Sequence, residues 1–184
     1  MAQSWRMRRT KRPLEPLKAS DLEWFALRYV ERYATTRGKL SDYLRRKIRE
    51  RGWGGEAQPD VVALAQRMAD LGYVDDRAFA ESRAGAMGRR GLGARRVTQA
   101  LHFDGVQAED ADAVAPIIEE NTTASAIAFA RRKRIGPYAR EAADRPLQEK
   151  QVVAMMRAGH APGLVWKIVR MLPGDDPEAL LEGN

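Results

Sequence analysis

The chain has no cysteine. That excludes a disulfide framework, a thiolate-ligated zinc site and thiol catalysis, and it suits a reducing compartment. No apolar run approaches the roughly 18 residues that a membrane span needs. The basic N-terminus has no apolar stretch behind it, so it does not read as a secretory signal. A cytoplasmic protein with no membrane contact is expected. Aromatic residues make up only 7% of the sequence, and no segment alternates at period two for long enough to form a strand. No GxxxxGK[ST] sequence occurs. After Gly91-Leu92-Gly93 the last glycine of a GxGxxG loop would fall on Arg96, with no strand ahead of it, so a nucleotide fold is not expected. There are two histidines, His102 and His160, each beside a helix-ending glycine. Surface or helix-end positions are expected for both, not ligand or base roles. No Ser–His–Asp or metal-ligand grouping stands out. The expectation is a non-enzyme without metal or cofactor.

What is present favours helix. The 184 residues are 44% hydrophobic, and Ala, Leu, Arg and Glu are abundant. Net charge is +7 and uneven: +8 over residues 1–57, −4 over 58–121 and +3 over 122–184. Basic surface suits nucleic acid, although a scattered charge also serves solubility. Residues 1–18 carry five basic side chains in positions 6–12 and then two prolines. They read as a flexible basic arm, either DNA-binding or only solvated.

From Ser20 the pattern is helical. Ser20 and Glu23 suit a capping box, and Leu22, Phe25, Ala26, Tyr29, Val30 and Tyr33 follow as one apolar face. Gly38 is expected to break that helix. Leu40, Tyr43, Leu44 and Ile48 form the next face, ended by Gly52. Asp60 caps a helix bearing Val61, Leu64, Ala65, Met68 and Leu71, closed by Gly72. Asp75 caps another, through about Met87. Ala94 to Asp104 buries Val97, Ala100 and Leu101 ahead of Gly105. Residues 109–119 are acidic outside and apolar at Val114, Ile117 and Ile118. Thr122 or Thr123 caps the next helix, which ends at Arg131 to Arg134 before Gly136-Pro137. Leu147–Ala158 and Pro162–Leu172 complete an all-α chain of about eight helices.

The chain also repeats. A shift of 53 positions lays Gly38 on Gly91, Leu44 on Val97, Ile48 on Leu101, Gly52 on Gly105 and Trp53 on Val106. A weaker third copy has Met155 four residues before Gly159, with the polar Gln151 at the position of Val97. Units of this length bury their apolar faces against neighbours and form an elongated array. The expected organisation is an arm at 1–18, repeats at 19–57, 58–106 and 107–172, and an acidic tail at 173–184.

Three basic clusters are candidate binding surfaces. Arg89, Arg90, Arg95 and Arg96 straddle the glycine turn of GRRGLGARRV. Arg131, Arg132, Lys133 and Arg134 end a helix, where the dipole already favours cations. Arg45, Arg46 and Arg49 form a basic flank. Arg95 and Arg96 stand at a helix start, where the dipole disfavours them. Such a start would draw phosphate or carboxylate to its backbone N–H groups and its side chains. Whether that anion belongs to DNA or to an acidic protein stays open at this point.

The segment YVDDRAFAESRAGAMGRRGLGARRVTQALHFDGV, residues 73–106, resembles the central signature of the RecX family, regulators of the recombinase RecA. The matching positions are Tyr73, Asp75, Asp76, Phe79, Ala80, Arg89, Arg90, Gly91, Gly93, Arg96, Leu101 and Gly105. LSDYLRRKIRERG resembles the first repeat and ARRKRIGPY the start of the third. The resemblance spans roughly residues 20–172, with Gln151 as a departure. It implies tandem three-helix repeats in an elongated, curved molecule. It further implies a monomer that binds RecA, free and along the groove of its single-stranded DNA filament. Filament extension, ATP hydrolysis, strand exchange and coprotease activity would fall. Single-stranded DNA, with double-stranded DNA as a second form, would be the nucleic-acid partner. The alternatives are a sequence-nonspecific DNA-binding helical module indifferent to RecA and an enzyme acting on nucleic acid. Tyr73, Phe79, Val97 and Leu101 are expected in the core.

Overall fold

The computed structural model of the chain describes residues 15–181. They form nine α-helices in chain order: α1 Ala19–Val30, α2 Arg37–Arg51, α3 Val61–Asp70, α4 Asp76–Arg89, α5 Ala94–Phe103, α6 Ala108–Glu120, α7 Thr122–Lys133, α8 Arg145–Arg157 and α9 Pro162–Val169. Among the described residues the β pairing is a single bridge between Leu17 and Trp53. The fold is all-α, as expected.

Side-chain oxygens start several helices by accepting backbone N–H groups that have no partner inside the helix. Thr36 accepts from Lys39 at 3.0 Å, Asp60 from Ala63 at 2.9 Å, Asp75 from Ala78 at 2.8 Å and Asp144 from Leu147 at 3.0 Å. The helix starts near residues 20 and 122 are capped differently from the expectation. At the first, the N–H of Lys18 donates to Asp21 and Ser20 lies inside the helix. At α7, Asn121 precedes the helix, and the Thr122 hydroxyl donates backwards to the Glu119 carbonyl. Gly38 breaks nothing. It lies in the first turn of α2, and α1 has already ended at Val30.

The helices pack in threes around three cores. Leu22 and Ala26 of α1, Leu40 and Leu44 of α2, and Val61, Leu64, Ala65 and Met68 of α3 form the first. Ala80, Ala84, Met87, Val97, Leu101 and Val114 join α4, α5 and α6 in the second. Phe129, Val152, Met155, Val165 and Ile168 join α7, α8 and α9 in the third. The expected repeat boundaries at 57/58 and 106/107 therefore shift. The apolar stripe of α3 seals α1 and α2, so it closes the first unit, and Val114 ties α6 to α4 and α5. No hydrogen bond or ion pair among the described residues joins the first unit to the third. The units follow one another in a line.

Both expected tails are partly folded. Leu17 is fully buried, donates to the Gly52 carbonyl at 2.9 Å and accepts from the Gly54 N–H at 2.9 Å. It belongs to the first core. The basic residues at 6–12 lie outside the described residues. At the other end Pro177 is buried, Leu180 packs against the third core and the Gly174 N–H reaches the Pro137 carbonyl.

Several expected core residues face outward. Leu71 is 62% exposed and Tyr73 54%. Val74, next along, takes the buried place in the first core. Val97 and Leu101 are buried, and Phe79 is half-buried against the second core. His160 is buried, not superficial, whereas His102 is exposed.

Candidate functional site: two unit junctions and a basic edge

The middle helices of the three units stack end to end. At the first junction the C-terminus of α5 meets the N-terminus of α2. The Thr36 hydroxyl donates to the Asp104 carbonyl at 2.6 Å. A Cβ on Gly38 would stand 2.6 Å from the Gly105 carbonyl oxygen, so only glycine permits this approach. Charges lock the joint. Buried Asp76 accepts from the Arg37 N–H at 2.8 Å and from its guanidinium at 3.2 Å, and Arg37 also reaches Asp110 at 2.6 Å. Burial alone would lower the Arg37 pKa, but the hydrogen bonds and charges of Asp76 and Asp110 outweigh it and hold the guanidinium above its ordinary value. Buried Asp104 pairs with Lys39 at 2.7 Å and Arg83 at 3.1 Å.

At the second junction the C-terminus of α8 meets the N-terminus of α5. The Gly93 N–H donates to the Ala158 carbonyl at 2.9 Å, and that of Arg95 to Gly159 at 3.3 Å. Gly91 takes φ +77°, and a Cβ there would strike the Phe129 backbone at 2.7 Å. A Cβ on Gly93 would strike Gly159 at 2.5 Å. His160 donates from Nε2 to the Gly91 carbonyl at 3.1 Å, and its ring meets Phe129 edge-on at 5.6 Å. Burial lowers its pKa from 6.5, only partly offset by the Gly91 bond. Its Nδ1 is buried without a partner among the described residues.

This geometry corrects the reading of the GRRGLGARRV turn. The start of α5 is not an open anion cradle, because the carbonyls of Ala158 and Gly159, just past α8, occupy the N–H groups of Gly93 and Arg95. Arg95 and Arg96 are also no electrostatic anomaly. They stand beside the negative end of α8 as much as the positive end of α5. What stays available is side-chain charge. Arg89, Arg90, Arg95 and Arg96 are all exposed. None has an acidic partner within 4.0 Å among the described residues, and the Arg96 guanidinium donates to Gln99 at 2.9 Å. Arg89 borders a cleft of about 490 Å³ between α4, α6 and α7. Arg95 borders a separate groove of about 330 Å³ with Glu119.

The other clusters are placed differently. Arg132 lies over the Phe129 ring at 5.5 Å, so the end of α7 shares the second junction with Gly91. Arg131 turns to Tyr138 at 3.2 Å and Glu178 at 3.5 Å. The Tyr138 hydroxyl, more than Glu178, raises the Arg131 pKa. Lys133 is exposed, and Arg134 takes a left-handed φ of +56°. The α2 flank splits. Arg45 pairs with Asp42 at 2.8 Å and borders a groove with Gln66 and Gln107, whereas Arg46 and Arg49 line the α1 side. Sequence reasoning missed Arg37, whose role depends on partners 39 and 73 positions away. It also missed Phe103, which is 87% exposed on α5, and the aromatic groove of the first unit. Arginines interleaved with Trp24, Tyr29 and Tyr33 were the available signal for that groove.

A family model described as RecX, second three-helix domain, matches residues 75–114. That span runs from the α4 cap into α6. The regulatory protein RecX of Myxococcus xanthus is 33% identical over 174 residues, covering 88% of this chain and 91% of its own length. The chain belongs to the RecX family. The regulatory protein RecX of Agrobacterium fabrum is 32% identical over 151 residues, with 79% and 80% covered. The crystal structure of RecX from Lactobacillus salivarius matches with a TM-score of 0.62 at 20% identity, over 82% of this chain and 93% of that one. That likeness is one of fold. RecX signature residues thus acquire physical places in this chain: Asp75 caps α4, Asp76 clamps the first junction, and Gly91, Gly93 and Gly105 let units approach. No helix among the described residues is long and apolar enough to cross a membrane.

Proposed function

We propose that this RecX-family chain is a regulator that binds RecA, free and as its nucleoprotein filament on single-stranded DNA. It reduces filament extension, ATP hydrolysis, strand exchange and coprotease activity. It acts as a monomer in the cytoplasm, by binding and not by catalysis. Three three-helix units in line suit a partner that itself repeats along an axis, and each unit would address a successive part of that groove. The observation that carries the reading, beyond family membership, is the arginine edge at the second junction. Arg89, Arg90, Arg95 and Arg96 are exposed and lack acidic partners among the described residues. Phosphates and carboxylates in a nucleoprotein groove would supply those partners. Arg132, over the Phe129 ring, adds a cation at the same junction from α7, with Lys133 and Arg134 next to it in sequence.

The test is RecA ATP hydrolysis on single-stranded DNA, with the chain titrated against its cognate RecA. Inhibition below stoichiometric amounts, insensitive to competitor DNA, is expected. Replacing Arg89, Arg90, Arg95 and Arg96 together by Glu should abolish it while helicity survives. Retained inhibition in the folded variant would remove the edge from the mechanism. Inhibition seen only at DNA-coating amounts, and relieved by competitor, would favour the DNA-binding module that ignores RecA. Double-stranded DNA belongs to that comparison as the second nucleic-acid form.

A further inference from the structure

We propose that the outer face of α1 and α2 is a stacking platform for the unpaired bases of single-stranded DNA. Five aromatic rings run across this face without a gap. Trp24 meets Phe25 edge-on at 5.1 Å, and Phe25 meets Tyr43 at 6.4 Å. Tyr43 stacks on Tyr29 at 4.2 Å, and Tyr29 leans on Tyr33 at 5.2 Å. The middle rings are half-buried and anchored in the first core. The ends of the row are open, with Trp24 55% and Tyr33 54% exposed. Leu22 and Ala26 are the buried residues of α1, and the exposed rings of Trp24 and Tyr33 extend the row beyond that core.

Cations accompany the rings. The guanidinium of Arg28 lies 5.6 Å from the Trp24 ring, and that of Arg46 lies 5.4 Å from Tyr43. Lys47 stands 5.7 Å from the same ring. Two adjoining grooves, of about 460 and 390 Å³, share Tyr29, Tyr43 and Arg46 as walls. The acids here are few. Glu31 pairs with Arg28 at 3.7 Å, Glu50 with Lys47 at 2.8 Å and Arg46 at 3.7 Å, and Asp42 with Arg45 at 2.8 Å. Arg32 and Arg49 line the grooves with no acidic partner among the described residues.

Charge complementarity and ring faces together select the occupant. A strand with unpaired bases brings both π-faces and phosphates, the combination that aromatic rows in basic grooves accept. A duplex hides its base faces. An apolar peptide would leave the arginines uncompensated. The proposal deepens the reading above, which already brings the chain beside single-stranded DNA, but its test needs no RecA.

The experiment is fluorescence anisotropy of a labelled oligo-dT of about 16 nucleotides with the full chain, beside the corresponding duplex and oligo-rU. The double variant Trp24→Ala/Tyr33→Ala should weaken single-strand binding at least tenfold, with duplex binding and the salt slope unchanged. Trp24→Phe/Tyr33→Phe should restore it. Arg32→Ala/Arg49→Ala should instead lower the log–log salt slope on the single strand by about 1.4, about 0.7 for each lost phosphate contact. Circular dichroism checks that each variant is folded. Single-strand affinity unchanged in the Ala pair, equal loss on the duplex, or tighter binding to oligo-rU or to anionic lipid vesicles would overturn the proposal. The Arg89, Arg90, Arg95 and Arg96 reversal separates the two ideas. If the platform is right and the RecA reading wrong, oligo-dT binding still falls with Trp24 and Tyr33 while ATP hydrolysis never responds.

Discussion

His160 shows how one residue reports on a junction. It is buried between Gly91 and Phe129, with its Nε2–H on a carbonyl and its other nitrogen unpartnered among the described residues. A second proton would place an uncompensated charge in an apolar seam. The folded chain therefore binds that proton less readily than the unfolded chain, whose histidine titrates near 6.5. The stability from neutral His160 is full above that value and is lost as pH falls through it toward the lowered folded value. Urea unfolding midpoints at pH 7.5 and pH 5 should diverge more for the wild type than for His160→Gln. Equal divergence would mean that other groups carry the acid response.

At the scale of elements, α8, α5 and α2 lie head to tail. Each joint sets the partial negative end of one helix against the partial positive start of the next, and small residues bring the ends close enough to hydrogen bond. Asp75 and Asp76 divide the labour at the start of α4. Asp75 caps its own helix, whereas the Asp76 side chain, only 1% exposed, ties α4 to Arg37 of α2. Asp75→Ala should cost about 1 kcal/mol. Asp76→Ala should cost about 2–3 kcal/mol, since it removes two charge-assisted hydrogen bonds from the joint and leaves the Arg37 guanidinium to Asp110 and Gln66 alone. Urea titration of the two variants checks the order, and a larger loss for Asp75→Ala would contradict the clamp.

The whole molecule is a line of small cores, not one large core. Its joints consist of glycine contacts, helix-end hydrogen bonds, the charges on Arg37, Lys39 and Asp104 at the first, and the Phe129–His160 contact at the second. Such a chain should scatter as an extended particle. A compact domain of 184 residues would have a radius of gyration of about 16 Å, and small-angle X-ray scattering should give a clearly larger value at monomer mass. A value at the compact figure would mean that the units fold back on each other in solution. The arrangement also explains the separation of surfaces. The arginine edge belongs to the second junction and the aromatic row to the first unit, so one extended partner could meet both.

Much of this was legible along the chain, because helices are local. Periodic apolar positions, the caps Asp60 and Asp75, and the stop glycines Gly52 and Gly105 depend on neighbours within a turn or two, whereas the Asp144 cap emerged only in the structure. The RecX signature was visible for the same reason, and three-helix repeats entered only as what that resemblance implies. Grouping the helices was not local: α3 belongs to the first unit because its stripe faces α1 and α2, which spacing alone does not reveal. Only the tertiary structure separated Asp76 from Asp75, buried His160, exposed Tyr73 and Phe103, and filled the α5 start with the carbonyls of Ala158 and Gly159. Those outcomes depend on which distant backbone arrives at each side chain, and that is decided when the units dock.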